Sequence, residues 1–396
     1  MRMRAFKYRI YPSLAQAEAI RQACGCRRFV YNWGLEKKQA AFQNGSKISA
    51  VDLINMLPDL KKTVPWLKET NAQSLQTTLR DLDIAFTRFF KRIGGFPTFK
   101  KKGKSRESFH IPQNFKVSQG ESSIIIPKIG RIKTVFDRTP DGNFKSVTIS
   151  MSSSGKFFAS VLCEQNVDDP KLKPVDPKTT MGLDVGIKTF AVCSDGKRFE
   201  QPQTIKRSRS RIEFLSRQLS KKQKGGKNWK KAKIELARAY ERLTNQRTDF
   251  LHKTSHQLAD ENQVGTICVE DLNIKGMMQN RCLARRIKEM AWGELFKQLE
   301  YKCRWRGIRL IWIGRFEPSS SLCSCGIKNT VLTLKDREWT CSVCGARHDR
   351  DLLAAQNIKR FGLAKMGMAA GMTAKNLGSC LVGTQKRRAK KFGDSH

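Results

Sequence analysis

An aspartate lies in the middle of the apolar run MGLDVGI, residues 181–187, and few arrangements tolerate it there. An ionised carboxylate among Met181, Leu183, Val185 and Ile187 is expensive to bury unless a partner charge or a metal compensates it. The run reads as a β-strand, followed by a join at residues 187–189, a second strand, and a Ser-Asp-Gly turn before a third. The situation then recurs. Glu270 closes the apolar strand TICVE, and Asp351 opens a helix that continues LLAAQNI. Singly, each acid has an ordinary explanation: a strand-end acid can meet a lysine, and an aspartate at a helix start often caps it. Together they call for a fold that brings distant carboxylates to one place.

The rest of the chain supplies the setting. Residues 5–11 alternate, with Phe6, Tyr8 and Ile10 on one face of a half-buried strand. Pro12 ends it, and Ser13 is positioned to cap LAQAEAIRQAC, the first of three helical stretches. The second is FVYNWGLEKKQAAF. The third carries Leu75, Leu79, Leu82, Phe86, Phe89 and Ile93 at steps of three and four, an amphipathic stripe with Lys and Arg outside it. After Phe96 the pattern turns β-like. KSVTISM and KFFASVLCE flank SSSG as a hairpin, and the first strand joins this block in one small barrel. DDPKLKPVDPKTT, with three prolines, breaks all periodicity and marks a domain boundary. Beyond it, strand GTICVEDL, helix AWGELFKQLEYKCRWRG and strand IRLIWIG precede the cysteine segment, and no core pattern is visible after Arg360.

Charge narrows the partners. The 396 residues carry 76 Lys and Arg against 35 acids, a net +41. So basic a chain repels itself unless it meets a polyanion, and nucleic acid is the usual one. Residues 206–247 hold fifteen Lys or Arg and three Glu, the pattern of a helix pair that follows a phosphate backbone. No run approaches the roughly eighteen apolar residues of a membrane span. MRMRAFKYRIYP lacks the apolar stretch of a signal peptide, so a reducing cytoplasm is expected.

Of twelve cysteines, eight read as small buried hydrophobes, as Cys163, Cys193 and Cys268 do. Cys323, Cys325, Cys341 and Cys344 have ligand-like spacing instead. Four thiolates suit a tetrahedral Zn²⁺. Cys323 and Cys325 are separated by one residue, which asks for a strained turn and leaves His348 as an alternative ligand to Cys325.

Strand–acid–strand, a later strand ending in an acid, and a final helix beginning with one is the RNase H layout. There, carboxylates at one edge of a mixed sheet hold two divalent ions roughly 3.5–4 Å apart, which clamp the attacking and leaving oxygens of a phosphodiester. Oxygen ligands suit Mg²⁺ or Mn²⁺. At these residues the chain resembles the TnpB family, encoded by insertion sequences and related to compact type V CRISPR effectors. The resemblance rests on CRRFVYNWGLE at 26–36, GFPTFKKKG at 95–103, GLDVGIKTFAV at 182–192, VEDLNIKGM at 269–277, and CSVCG…HDRDLLAAQNI at 341–358, the last three matching split RuvC motifs.

The resemblance implies an α/β and α+β multidomain protein. A β-barrel wedge domain spans 1–12 and 95–167, with a helical recognition domain inserted at 13–94. A linker at 168–180 leads to an RNase H-like RuvC nuclease domain at 181–318 and 349–362. A zinc-ribbon-like insertion occupies 319–348, and 363–396 form a tail expected to be disordered. The implied activity is RNA-guided DNA cleavage, in which a transposon-derived guide RNA and double-stranded target DNA are the partners, with no membrane. A short target-adjacent motif is read by the protein, and pairing supplies the sequence specificity. The implied setting is a prokaryotic cytoplasm, in association with the nucleoid.

By motif, Asp184, Glu270 and Asp351 are the implied catalytic and metal-binding acids, with Asp349 competing for the third place. Gln76 aligns with a base-contacting glutamine, and Gln suits the N6/N7 edge of adenine. Lys100, Lys101, Lys102, Arg207, Arg211, Lys221 and Lys222 are the expected nucleic-acid contacts. Tyr31 and Trp33 are candidates for base stacking, with core packing the competing role. Two departures stand out: Leu353 replaces the asparagine that usually precedes Ala-Ala, and the first cysteine pair lacks a residue. A guided repressor without cleavage, and an unguided RuvC-type nuclease or transposase, are the rival functions.

Overall fold

The structure, a computed structural model, describes residues 1–261, 263–333 and 336–368; most of the expected tail lies outside the described residues. The chain divides into two compact units, one of residues 1–168 and 212–241, the other of 169–211 and 242 onward.

The first unit begins with β1 (Arg2–Tyr11), whose Phe6, Tyr8 and Ile10 are buried on one face. Ser13 caps α1 (Leu14–Gln43) in a reciprocal box with Gln16. The two helical stretches read from the sequence are one continuous helix, because Gly25 and Gly34 keep helical geometry. Gly34 also lets the helix that carries Leu79 approach: a Cβ there would stand 2.7 Å from Leu79 Cδ2. Short helices α2 (Ala50–Asn55) and α3 (Leu57–Thr63) precede α4 (Ala72–Phe90). Leu75, Leu79 and Leu82 are fully buried, each contributing about 1.5–3 kcal/mol by leaving water. The predicted stripe stops early. The helix ends at Phe90, and Ile93 is exposed beyond it.

Six strands follow: β2 (Glu107–Ile111), β3 (Lys116–Ser118), β4 (Ser123–Ile126), β5 (Gly130–Val135), β6 (Asn143–Met151) and β7 (Phe157–Gln165). They join β1 in one antiparallel sheet of order β2-β6-β7-β1-β5-β4-β3. The β6–β7 hairpin pairs Val147 with Val161 and Ile149 with Ala159, as the alternation requires. Among the described residues no pairing joins β2 to β3, so the expected barrel is a sheet open at those two edges.

The second unit is a five-stranded sheet of order β10-β9-β8-β11-β12. β8 (Thr180–Val185), β9 (Ala191–Cys193) and β10 (Arg198–Phe199) form an antiparallel meander. Two basic helices, α5 (Gln203–Ser220) and α6 (Lys227–His256), whose residues 212–241 belong to the first unit, lead to β11 (Thr266–Glu270). Then come α7 (Ile274–Met277), α8 (Arg281–Met290), α9 (Trp292–Arg306) and β12 (Arg309–Ile313). A small hairpin, β13 (Glu338–Thr340) and β14 (Arg347–Asp349), feeds directly into α10 (Arg350–Lys365). Helix α10 continues past residue 362 and buries Leu363, so the ordered chain extends beyond the expected start of the tail. No helix among the described residues is long and apolar enough to cross a membrane.

Candidate active site

Alternation along the parallel strands decides where the acids point. Met181, Leu183, Ile267 and Val269 enter a core shared with Trp292, Leu295 and Leu299 of α9. The residues between them face the other way. Cys268 packs with Ile311, Ile313 and Ile358 of α10, while a Cβ on Gly182 would meet the Ala355 carbonyl oxygen at 1.9 Å. Gly182 therefore lets α10 lie against the sheet backbone. Asp184 and Glu270 share the parity of Gly182 and Cys268, so they project toward α10.

The strand register aligns them. β8 and β11 pair in parallel with Leu183 opposite Val269. Asp184 and Glu270 each come one residue later, at the carboxyl ends of neighbouring strands. Asp351 enters the same region in the first turn of α10. Charge records the convergence. Asp184 is pushed up to about 7 by burial first, then by the negative charges of Glu270 and Asp351. Burial also raises Glu270, against a hydrogen bond from Ser319. The three do not close into a tight cluster. Among the described residues only the cysteines bring three or more ligand atoms within 4.8 Å of one another.

Asp349 and Asp351 have different partners. Asp349 caps α10, accepting from the Leu352 N–H at 2.9 Å, and its second oxygen meets Arg198 Nη2 at 2.9 Å. Asp351 accepts from Arg337 Nη1 at 3.3 Å and is the acid whose charge reaches Asp184. Ser319 Oγ donates to Glu270 Oε1 at 2.5 Å. Ser319 and Arg337 were not singled out in the sequence, because both lie in segments without periodicity.

The raised Asp184 makes metal-free stability depend on pH. Between its ordinary value of 3.8 and about 7, the folded chain holds a proton that the unfolded chain has released. Its contribution to stability is therefore lost as pH rises through that window. In Mg²⁺-free buffer, an Asp184→Asn variant is expected to gain melting temperature over the wild type at pH 8. The gain should shrink toward pH 5, and an equal difference at both pH values would contradict the assignment.

The cysteine segment gathers Cys323, Cys325, Cys341 and Cys344 into one group. Cys323 Sγ lies 3.5 Å from Cys344 Sγ, and Cys325 Sγ lies 3.7 Å from Cys341 Sγ. A tetrahedron with Zn–S bonds of about 2.3 Å has edges of about 3.8 Å, so the donor set fits zinc. The short first gap is accommodated by Gly326, at φ +93°, in a turn closed by the Cys323 N–H to the Ile327 carbonyl at 2.9 Å. Backbone N–H groups of Cys344 and Val343 bring the Cys341 thiol down to about 6. His348 Nε2 stands 3.1 Å from Cys323 Sγ, beside the group. Leu353, the departure on α10, is buried with Cys323, Trp339 and Cys341. It anchors the helix to the cysteine segment.

The other predicted contacts lie elsewhere. Arg207, Arg211, Lys221 and Lys222 are exposed, Arg207 and Arg211 on α5 and the lysines in the turn after it. In the first unit, Lys100 and Lys101 line a cleft of about 570 Å³ with Arg27, Arg28, Lys104 and Arg106. Tyr31 forms part of its wall, with Lys100 Nζ 4.7 Å from its ring centre. Lys102 is exposed nearby in sequence, while Gln76 and Trp33 are half-buried.

Comparison with known proteins bears on this layout. The chain is 38% identical over 377 residues to a "Putative RNA-guided DNA endonuclease" of Streptomyces pristinaespiralis, covering 93% of this chain and 92% of that one. The chain belongs to the TnpB family. A second relative of this family, the "Putative RNA-guided DNA endonuclease InsQ" of Escherichia coli (strain K12), is 32% identical over 92% of this chain and 93% of its own. Residues 160–281 match OrfB_IS605, described as "Probable transposase". Residues 292–358 match the "Cas12f1-like, TNB domain". Residues 1–47 match a "Helix-turn-helix domain", although here they form β1 and the single helix α1. The TnpB fold also extends to a solved structure, "Cryo-EM structure of the Cas12f1-sgRNA-target DNA complex". It has a TM-score of 0.55 at 15% identity, and covers 90% of this chain and 98% of that one.

Proposed function

We propose that this chain is an RNA-guided DNA endonuclease that hydrolyses phosphodiester bonds at Asp184, Glu270 and Asp351. The observation that carries the reading is the projection of two strand-end acids toward the helix that delivers the third. The family membership and the names of its relatives support the same conclusion. In this reading residues 181–318 and 349–362 form an RNase H-like RuvC domain. Residues 319–348 form a zinc ribbon, and 168–180 the linker. The wedge, 1–12 and 95–167, and the recognition helices, 13–94, grip guide RNA and read the target-adjacent motif.

The acids fit divalent metal by their chemistry. The charges of Glu270 and Asp351 add to burial in disfavouring ionised Asp184, which carries that penalty inside the sheet. Mg²⁺ or Mn²⁺, when bound, supplies the positive charge that clamps the attacking and leaving oxygens. The residues do the rest. Asp184 and Glu270, fixed on adjacent strands, present oxygens at one height. Asp351 approaches from the helix, and Ser319 holds one oxygen of Glu270. At the cysteine group, Cys323, Cys325, Cys341 and Cys344 hold structural zinc where β14 passes into α10. Metal analysis is expected to find about one zinc per chain. Its loss in a Cys341→Ser variant should lower the melting temperature, and a zinc-free wild type would overturn this site.

The guide requirement separates this reading from an unguided nuclease or transposase. Stripping the RNA that copurifies should abolish Mg²⁺-dependent cleavage of double-stranded DNA, and adding the RNA back should restore it. Undiminished cutting by RNA-free protein would reject the guided reading.

A further inference from the structure

We propose that Ser319 and Asn357 form a positioning pair that sets the orientation of Glu270. The proposal rests on the nuclease reading above and deepens it. Among the described residues, Ser319 is the hydrogen-bond donor to the Glu270 carboxylate. At 2.5 Å the contact is in the range of a charge-assisted O–H···O⁻ bond, which commits the single hydroxyl proton to Oε1. The other oxygen takes no part in that bond.

Ser319 does not lie in a regular element, so something else must hold it. Asn357 does so from α10. Its Nδ2 donates to the Ser319 and Leu322 carbonyl oxygens, each at 2.7 Å, bracketing one turn of chain with one amide. Arg360 Nη1 donates to the Asn357 Oδ1 at 3.0 Å, which fixes the way the amide faces. Asn357 is fully buried and Ser319 nearly so, so water does not compete for these bonds.

The arrangement has a geometric consequence. The helix that delivers Asp351 also carries the amide that holds the donor to Glu270. Any shift of α10 would move both acids together instead of pulling them out of register. The bracketed turn ends at Leu322, immediately before Cys323, so it is also the root of the cysteine segment. A purely structural role would satisfy two loop carbonyls and contribute stability alone. A positioning role predicts a change in metal affinity, since outer partners of metal ligands typically alter affinity about 10–100-fold.

The test uses the full chain with its copurified RNA and Mn²⁺ as the probe. Binding is read by electron paramagnetic resonance without target DNA, and cleavage is measured across Mn²⁺ concentrations. Ser319→Ala is expected to weaken Mn²⁺ binding about tenfold, and to raise the Mn²⁺ needed for half-maximal cleavage by the same factor. Zinc content and melting temperature should stay at wild-type values. Ser319→Thr, which keeps the hydroxyl, should restore both metal readouts. Asn357→Asp, which removes the bracketing donors, should match Ser319→Ala and add little to it in the double variant. Wild-type Mn²⁺ binding in Ser319→Ala, beside its loss in Glu270→Ala, would overturn the positioning role and leave the nuclease reading intact. A lowered melting temperature as the sole change would overturn it too. Wild-type binding and cleavage in Glu270→Ala would instead remove the active-site reading itself.

Discussion

Replacing Asp184 by alanine is expected to cut guided DNA cleavage by about a thousandfold or more, with little change in binding of guide or target. The expectation follows from where Asp184 sits. It occupies the end of a central strand, flanked by β9 and β11. Its charge is opposed by Glu270 and Asp351 and favoured by the backbone hydrogen bond at Val185 and by Arg350. In the proposed reading a divalent cation would supply the compensating charge. Asp184→Asn should be almost as damaging as Asp184→Ala, because it keeps the shape and removes the charge. That pair separates electrostatics from packing: loss in Ala with full activity in Asn would mean that the side chain only fills space. Binding should survive, since Lys100, Lys101 and the cations of residues 206–247 are separate from the acids in sequence.

Much of this arrangement was legible in the sequence because burial and charge leave a periodic trace. An acid inside MGLDVGI and another ending TICVE could be placed on strands from their apolar neighbours alone. The β6–β7 hairpin and the cap at Ser13 were readable for the same reason: local chemistry determines them. What escaped was long-range. Ser319 lies in EPSSSL, a stretch with no period, and its role depends on a helix that begins more than thirty residues later. Asn357 stood inside a recognised motif but read as one more polar residue on α10. Burial made it a bracket, and burial of a polar side chain cannot be read from polarity. The open sheet edges and the early stop of the α4 stripe were missed likewise, because a pattern of apolar spacing does not record where pairing or helix ends. Leu353 shows the converse. It stands where the family usually has an asparagine, and the structure buries it with Cys323 and Trp339.

Affinity for nucleic acid is expected to fall steeply with salt, linearly in log–log form. A protein making about 6–10 phosphate contacts loses about 10³–10⁵-fold between 50 and 200 mM salt. The net charge of +41 makes a count of that size natural, and the fifteen cations of residues 206–247 are its densest source. Part of that density is spoken for within the protein. Arg209 is paired with Glu289, and Arg211 has a partner of its own. Lys221 and Lys222 differ, standing exposed in the turn between α5 and α6, where a phosphate can approach without breaking an internal pair. A Lys221→Ala, Lys222→Ala double variant should therefore reduce the salt slope by about two, roughly one per phosphate contact, and weaken binding about equally for all sequences. The cleft lined by Lys100 and Lys101 offers the internal comparison, since a Lys100→Ala, Lys101→Ala variant should lower the slope by a similar amount through a separate set of cations. An unchanged slope in the first variant beside a reduced one in the second would move the backbone contacts from the helix pair to the cleft. The helical charge would then be a solvated face, and self-repulsion among those fifteen cations would have to be relieved by something other than the nucleic acid.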